Sequence, residues 1–370
     1  MLLVVLDDVG FDKIGAYGHG WPTPATPTLD RLIAEGRFFR HAWSQPMCSP
    51  TRATLMTGRL AQRTGVGQIV FSWEEEVGLP DDERTLPEML RRSPVRWDTS
   101  FVGKWHLDGQ PDAAHGPGRQ GFAWYRGTLG NLREPIHSGE EQAPDLGYAH
   151  WIEDDNGELH DQRGWVVERT ADDTIARMAA MEEPWLLWSA FHAAHVPFDP
   201  VPPGIPGAEV ASDAPLADRH EALVRAADHE LGRILDAMSP ALRARTTVIV
   251  VGDNGTPMQA IRPPLPQAQG KGSVYELGVR VPLVVTGPLV DGPGPTDALV
   301  HTVDVFATIA ALAGVDPGLD RTIDGVSLLP VLRDPGARVR ATVTTDVFVP
   351  NHGARADALF DAIRDERFKL

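Results

Sequence analysis

Leu2-Leu3-Val4-Val5-Leu6-Asp7-Asp8 opens the chain with five apolar residues that end on two carboxylates. An unbroken apolar run this short has the length and side chains of a strand covered on both faces. No basic region precedes it, so it does not read as a signal peptide, and the chain as written is expected in the cytoplasm. Removal of a leader would move that expectation to the periplasm or the outside. Similar runs recur at Thr99–Val102, Trp185–Phe191, Thr246–Val251 and Val281–Val285. They alternate with helical patterns at Thr28–Glu35, Thr85–Arg92, Trp165–Met181, Leu216–Met238 and Val303–Ala313. Thr85 followed by Glu88 fits a capping box. Alternation of this kind predicts an α/β fold built on a largely parallel sheet.

The polar residues that follow these runs are Asp7-Asp8, Lys104 and His106, His192 and His195, and Asp253-Asn254. In open α/β sheets, ligands bind beyond the carboxyl ends of the strands, so residues far apart in sequence can converge there. Asp7, Asp8, Asp253 and Asn254 offer only oxygen, which suits a hard divalent cation such as Ca²⁺ or Mg²⁺ better than zinc. The plainer reading, that Asp-Asp and Asp-Asn-Gly start turns, stays open for each motif alone.

Composition narrows the function further. The chain has 370 residues, 42% of them apolar and 23% charged, enough to bury a large core. Thirty-four basic against fifty-one acidic residues give a net charge of −17, the wrong sign for a general nucleic-acid or anionic-membrane binder. No apolar run approaches the roughly 20 residues that cross a bilayer. One cysteine, Cys48, excludes an internal disulfide framework and a cysteine-based zinc cluster. No repeat is visible, and the Pro/Gly-rich stretches near 200–207 and 262–272 read as loops within one principal domain.

Cys48 lies in Pro46-Met47-Cys48-Ser49-Pro50-Thr51-Arg52, before the helix-like Ala53-Thr54-Leu55-Met56-Thr57-Gly58. Proline is tolerated in a first helical turn, and the free N–H groups there attract anions. A nucleophile at that entrance, with Arg52 one turn inside, would face a sulfate or phosphate group; a buried structural thiol is the alternative.

At this point the chain resembles the sulfatases, the formylglycine-dependent, arylsulfatase-like members of the alkaline-phosphatase-like superfamily. Cys48 to Arg59 is similar to the sulfatase signature, whose C-x-P-x-R core directs oxidation of the cysteine to formylglycine. Trp97 to Leu107, with Lys104 and His106, resembles the second signature, although Arg96-Trp97 replaces its usual Gly-Tyr opening. Leu6-Asp7-Asp8-Val9-Gly10 and Gly252-Asp253-Asn254-Gly255 resemble the two metal motifs. Phe191 to Phe198 resembles the histidine loop, with Ala194 where proline is common, and Gly270 to Glu276 the late lysine segment.

The resemblance implies an α/β/α sandwich with a large, mostly parallel mixed sheet flanked by helices. It implies that Asp7, Asp8, Asp253, Asn254 and modified Cys48 bind Ca²⁺, with Mg²⁺ or Mn²⁺ as substitutes. It places Arg52, Lys104, His106, His195 and Lys271 around the modified residue and a sulfate. The expected partners are a small-molecule or carbohydrate sulfate ester and, during maturation, a formylglycine-generating enzyme, with neither nucleic acid nor membrane. For His192, which has no firm counterpart, a satisfied core histidine is expected.

Two other readings remain. A phosphonate monoester or phosphodiester hydrolase of the same superfamily can share C-x-P-x-R, but usually lacks the Lys104/His106 pair and often carries histidine where this chain has Asn254. A non-catalytic calcium- or anion-binding relative would have no need of both lysines and a maturation motif. Residues 1–345 are expected to form the catalytic domain and 346–370 to begin a C-terminal subdomain that is truncated or reduced, which would leave a strand edge and apolar surface open. The segment from Asp108 to Asp161 is expected to supply much of the pocket wall. Its Trp124, Tyr125, His137, His150 and Trp151 receive no role, because packing explains such residues at least as well.

Overall fold

The computed structural model describes residues 1–72, 78–109, 113–134, 145–318, 321–353 and 358–370. His137 lies outside the described residues. Among those described, ten strands form one sheet: β1 (Leu2–Leu6), β2 (Arg37–Trp43), β3 (Asp98–Lys104), β4 (Trp124–Thr128), β5 (His150–Asp155), β6 (Glu158–Arg163), β7 (Trp185–Ala190), β8 (Val248–Gly252), β9 (Leu283–Thr286) and β10 (Gly294–His301). Their spatial order is β10-β2-β9-β8-β1-β7-β3-β4-β5-β6. The centre is parallel, with β1 between β8 and β7 and β3 between β7 and β4. β9 runs antiparallel between β8 and β2, and the β5–β6 hairpin closes the far edge.

The centre forms because successive strand side chains point to opposite faces and both faces are covered. Leu3 and Val5 join Ile249, Val251 and Trp188 in one core; Leu2, Val4 and Leu6 join Val248, Val250 and Leu187 in the other. All five residues of β1 are buried. Each such Leu or Val contributes about 1.5–3 kcal/mol. On one face lie α1 (Pro27–Glu35), α3 (Val166–Ala180) and α4 (Leu216–Asp236). The other face is covered by α2 (Cys48–Thr57), the short helix Leu86–Leu90 and α5 (Asp304–Leu312). The expected capping box is present, the Thr85 N–H donating to Glu88 Oε2 at 3.1 Å.

Strands β11 (Val343–Val349) and β12 (Ala358–Arg364) form a separate antiparallel pair. Leu359, Phe360, Ile363, Phe368 and Leu370 are exposed there. Among the described residues, no helix is long and apolar enough to cross a membrane.

Five strands of this sheet, β2, β4, β5, β6 and β10, escape the sequence pattern. β2 begins on Arg37, which is fully buried because its guanidinium donates to the carbonyls of Val331, Gly294, Asp291, Gly292 and Leu332. β10 is interrupted by a register shift between Thr296 and Leu299.

Candidate active site

Four parallel strands deliver the site. β1 ends at Asp7-Asp8, β3 at Lys104 with His106 two residues on, β7 precedes His192 and His195, and β8 precedes Asp253-Asn254. Gly103 makes the delivery of Lys104 feasible: at φ +100 its missing Cβ would stand 1.9 Å from the Ala190 carbonyl oxygen. Any side chain there would push β3 away from β7. Asp8 and His106 hold φ of 61° and 62°, a left-handed conformation that non-glycine residues adopt at some cost and that gathers at functional sites.

Helix α2 begins on Cys48 itself, five residues before the helix-like segment read from the sequence, and all ten of its residues are buried. The reason is packing and tethering by other segments: Val70 N–H donates to Ser49 Oγ and Gln45 N–H to Thr51 Oγ1. Residue 48 therefore sits at the positive end of a buried helix.

The ten candidate residues meet in one cluster. Lys104 Nζ donates to Asp7 Oδ2 at 2.5 Å, and Lys271 Nζ to Asp8 Oδ1 at 2.6 Å. Arg52 donates to Asp253 Oδ2 from Nε (3.2 Å) and Nη2 (2.9 Å) and to the Lys104 carbonyl from Nη1 (2.5 Å), so its fork holds Asp253. Asn254 Nδ2 donates to Asp8 Oδ1 at 2.7 Å, and Asp8 N–H to Asp253 Oδ1 at 3.2 Å. His195 Nε2 is 4.0 Å from Asp8 Oδ2, while its Nδ1 lies 2.6 Å from the Val196 carbonyl. His106 faces Cys48 and has its Nε2 3.5 Å from Glu134 Oε1.

Three carboxylates and three cations therefore share a site from which water is nearly excluded. Burial favours the neutral form of the Asp7 carboxyl, but Lys104, His195, Arg52 and Lys271 hold it well below its usual range. Burial and the neighbouring Asp7 push Asp253 up to about 6, and burial, opposed by Lys271 but helped by Asp7, does the same for Asp8. Burial opposes ionisation of the Cys48 thiol, yet Lys104, Lys271 and His106 pull it down to about 6. His195 is driven well below its ordinary value by burial and then by Lys104 and Lys271.

The donors fit a metal ion. Asp7, Cys48 and Asp253 offer ligand atoms within 4.8 Å of one another, as do Asp7, Asp8 and His195. Asp7 Oδ1 and Asn254 Oδ1 are buried without a hydrogen-bond partner, which is costly unless something outside the chain meets them. Both are hard oxygen donors.

Several residues here carried no sequence signal. Tyr148 donates its hydroxyl to the carbonyls of His192 and His195, His220 Nε2 lies 2.9 Å from the Asp8 carbonyl, and Glu134 neighbours His106. Each acts on a backbone atom or across an unrelated loop, so no local spacing marks it. His192 is buried with Nε2 2.7 Å from Thr128 Oγ1, and burial pushes it down to about 3, so it is a neutral ring beside the site. Of the wall aromatics, Trp151 and Tyr125 are buried in the two cores, and His150 pairs with Asp161.

Comparison with known proteins follows the same lines. A family model described as Sulfatase matches residues 1–315. N-acetylgalactosamine-6-sulfatase of Homo sapiens is 32% identical over 360 residues, covering 90% of this chain and 65% of that protein. Arylsulfatase A of Homo sapiens is 31% identical over 400 residues, covering 100% of this chain and 74% of that protein. The crystal structure of Ps i-CgsB in complex with k-i-k-neocarrahexaose has a TM-score of 0.80 at 23% identity and covers 100% of this chain and 82% of that one, a likeness of fold. The chain spans 65% of the length of the N-acetylgalactosamine-6-sulfatases it matches.

Proposed function

The chain belongs to the sulfatase family, and from that membership we propose that it hydrolyses a sulfate ester to an alcohol or phenol and inorganic sulfate. The observation that carries the proposal is the buried cluster of Cys48, Asp7 and Asp253 among Arg52, Lys104 and Lys271. A sulfate ester presents anionic oxygens that repel a nucleophile, and several fixed cations at that point answer both the ground-state charge and the charge that shifts during transfer. Sugar sulfates are the first substrates to assay, since the N-acetylgalactosamine-6-sulfatases are among the relatives. Residues 1–345 form the catalytic unit in this reading, with a smaller unit from 346.

Asp7, Asp8, Asp253, Asn254 and residue 48 would hold the cation, Ca²⁺ first and Mg²⁺ or Mn²⁺ as alternatives. Bound there, it supplies positive charge against a sulfate oxygen. Cys48, in its C-x-P-x-R context, is the residue converted to formylglycine by a formylglycine-generating enzyme. The hydrate of that aldehyde supplies two hydroxyls, one to attack sulfur and one to let sulfate depart without water attacking it.

This chain's own residues then move the protons. Asp253, its carboxyl raised to about 6 by burial and the neighbouring Asp7 and oriented by the Arg52 fork, accepts the proton of the attacking hydroxyl. His195 and Lys271, both beside Asp8, supply the proton of the leaving oxygen or stabilise its charge. Burial, and after it Lys104 and Lys271, keep the free His195 ring neutral, and an anionic ester beside it offsets the two lysines. His106, oriented beside Glu134, takes the proton of the second hydroxyl, and Lys104 and Arg52 fix the geometry around residue 48.

The test is a mass spectrum of the tryptic peptide His41–Arg52 from protein made with and without a formylglycine-generating enzyme, paired with hydrolysis of 4-nitrophenyl sulfate. Conversion of Cys48 to the aldehyde with gain of hydrolysis is the expected result. Conversion without hydrolysis of any sulfate ester, or a large preference for a matching phosphodiester, overturns the proposal.

A further inference from the structure

The loop that presents His195 is held from two sides. On one, the metal-loop backbone grips its middle: Asp7 N–H donates to the Ala193 carbonyl (3.2 Å) and Ala194 N–H to the Asp7 carbonyl (2.6 Å). On the other, the flanking carbonyls of His192 and His195 both point at one group, the Tyr148 hydroxyl, each at 2.8 Å. Tyr148 is fully buried, and burial beside Asp7, Asp8 and Asp199 holds its proton in place, so it acts here as a donor shared between two acceptors.

Tyr148 is itself fixed at three points. Its N–H donates to Asp199 Oδ2 at 2.9 Å, its carbonyl accepts from Val166 N–H at 2.9 Å, and its ring stacks on Trp165 with centroids 5.1 Å apart and planes 29° apart. Packing therefore leaves the hydroxyl little freedom. Nothing about folding a tyrosine against α3 requires its oxygen to meet two carbonyls of the loop. The consequence is directional: with Nδ1 of His195 engaged by the Val196 carbonyl, only Nε2 faces the site, and the tilt of the ring follows the backbone of residues 192–195.

We infer that Tyr148 is a positioning residue for the leaving-group half of the reaction, holding the 192–195 backbone so that His195 Nε2 meets the departing oxygen. The inference rests on the sulfatase reading of the site. It assigns the hydroxyl a task that differs from the stabilising task of the ring, and the two come apart by leaving group. An acidic phenol departs as its anion and needs little help, whereas an alkoxide must be met by a donor. A displacement of about 1 Å in a donor can cost on the order of 10²-fold.

The experiment compares modified, metal-loaded wild type with Tyr148→Phe on 4-nitrophenyl sulfate and on a sugar 6-sulfate, with kcat and KM measured separately. The expected result is a kcat loss of about 10²-fold on the sugar sulfate with KM little changed, against a loss within about threefold on the nitrophenyl ester. Equal losses on both esters, or none on either, overturn the inference. A double variant with His195→Asn gives the second reading: Tyr148→Phe adds no further loss on the sugar sulfate if it acts through His195, and a multiplicative loss overturns that route. Should Tyr148→Phe fail to fold, Asp199→Ala, which removes the acceptor of the Tyr148 N–H, carries the same comparison, with the same ester dependence expected in weaker form and an equal loss counting against it. Failure of wild type to hydrolyse any sulfate ester defeats the sulfatase reading and this inference together; wild-type turnover with an equal loss defeats the inference alone.

Discussion

Two arginine–aspartate clusters built on buried carboxylates sit in this molecule and differ in whether every oxygen is met. Asp304, the first residue of α5, accepts from Arg340 Nε with both oxygens (2.9 and 2.8 Å), from His301 N–H (2.9 Å) and from Val326 N–H (2.8 Å). Every oxygen there is satisfied within the chain. Around Arg52 the pairing is just as close, yet Asp7 Oδ1 and Asn254 Oδ1 have no partner. The difference separates two uses of a buried charge. A closed network ties segments together, while one that leaves hard oxygens unmet is complete only with something added.

The largest test of that contrast acts on chemistry. Cys48→Ala should lower turnover by about 10⁴-fold or more while the protein still unfolds cooperatively, because a nucleophile has no substitute. Appreciable hydrolysis of 4-nitrophenyl sulfate by the variant would break the assignment of the open cluster to catalysis. Arg340→Leu should do the converse. Removing one partner of a buried pair leaves an uncompensated charge on Asp304 and costs about 3–5 kcal/mol in a urea titration, with the activity per folded molecule unchanged.

A third measurement asks what the open oxygens want. Ca²⁺ at a hundredfold excess over its Kd should raise unfolding stability by about 2.7 kcal/mol, and a chelator should reverse it. Asp7→Asn should abolish the response in thermal melts, whereas Arg340→Leu should keep it. A calcium-induced shift that survives Asp7→Asn would place the ion elsewhere.

The smallest effect sharpens the comparison with a third carboxylate. Asp154 also has a buried oxygen without a partner, Oδ2, but no cation is among the groups that shift it; burial and then the neighbouring Asp155 outweigh its bond from Gly157 N–H and raise it from 3.8 to about 7. The unmet oxygen is answered here by a stronger hold on a proton. The folded form binds that proton more tightly than the unfolded form, so the contribution to stability is fully present below about pH 4 and is lost as pH rises through about 7. The difference in melting temperature between wild type and Asp154→Asn should therefore favour the variant increasingly from pH 4 to pH 8. A difference independent of pH would remove Asp154 from the comparison.

How much of this was legible beforehand depends on the range of each interaction. β1 is read from Leu2 to Leu6 because its burial on both faces is written in its own side chains. The residues that follow the central strands were legible for the same reason, since a strand's end and its first polar neighbours are contiguous. β2 was not, because its opening Arg37 is neutralised by five carbonyls from 291–294 and 331–332. The start of α2 at Cys48 was missed because its first turn is tethered by Gln45 and by Val70, the latter 21 residues from Ser49.

The amino-acid sequence by itself determined which groups reach the site and in what order: oxygen donors after β1 and β8, lysine and histidine after β3, a lone thiol opening C-x-P-x-R. Side-chain identity, strand period and family motifs are local properties, so they survive without coordinates. Only the tertiary structure decided which of those atoms stay unpartnered, that Arg52 grips Asp253, and that Tyr148 reaches the backbone of the His195 loop. The physical reason is that a hydrogen bond to a carbonyl leaves no trace in the identity of the residue that owns it, and whether a buried oxygen is satisfied depends on every segment packed around it.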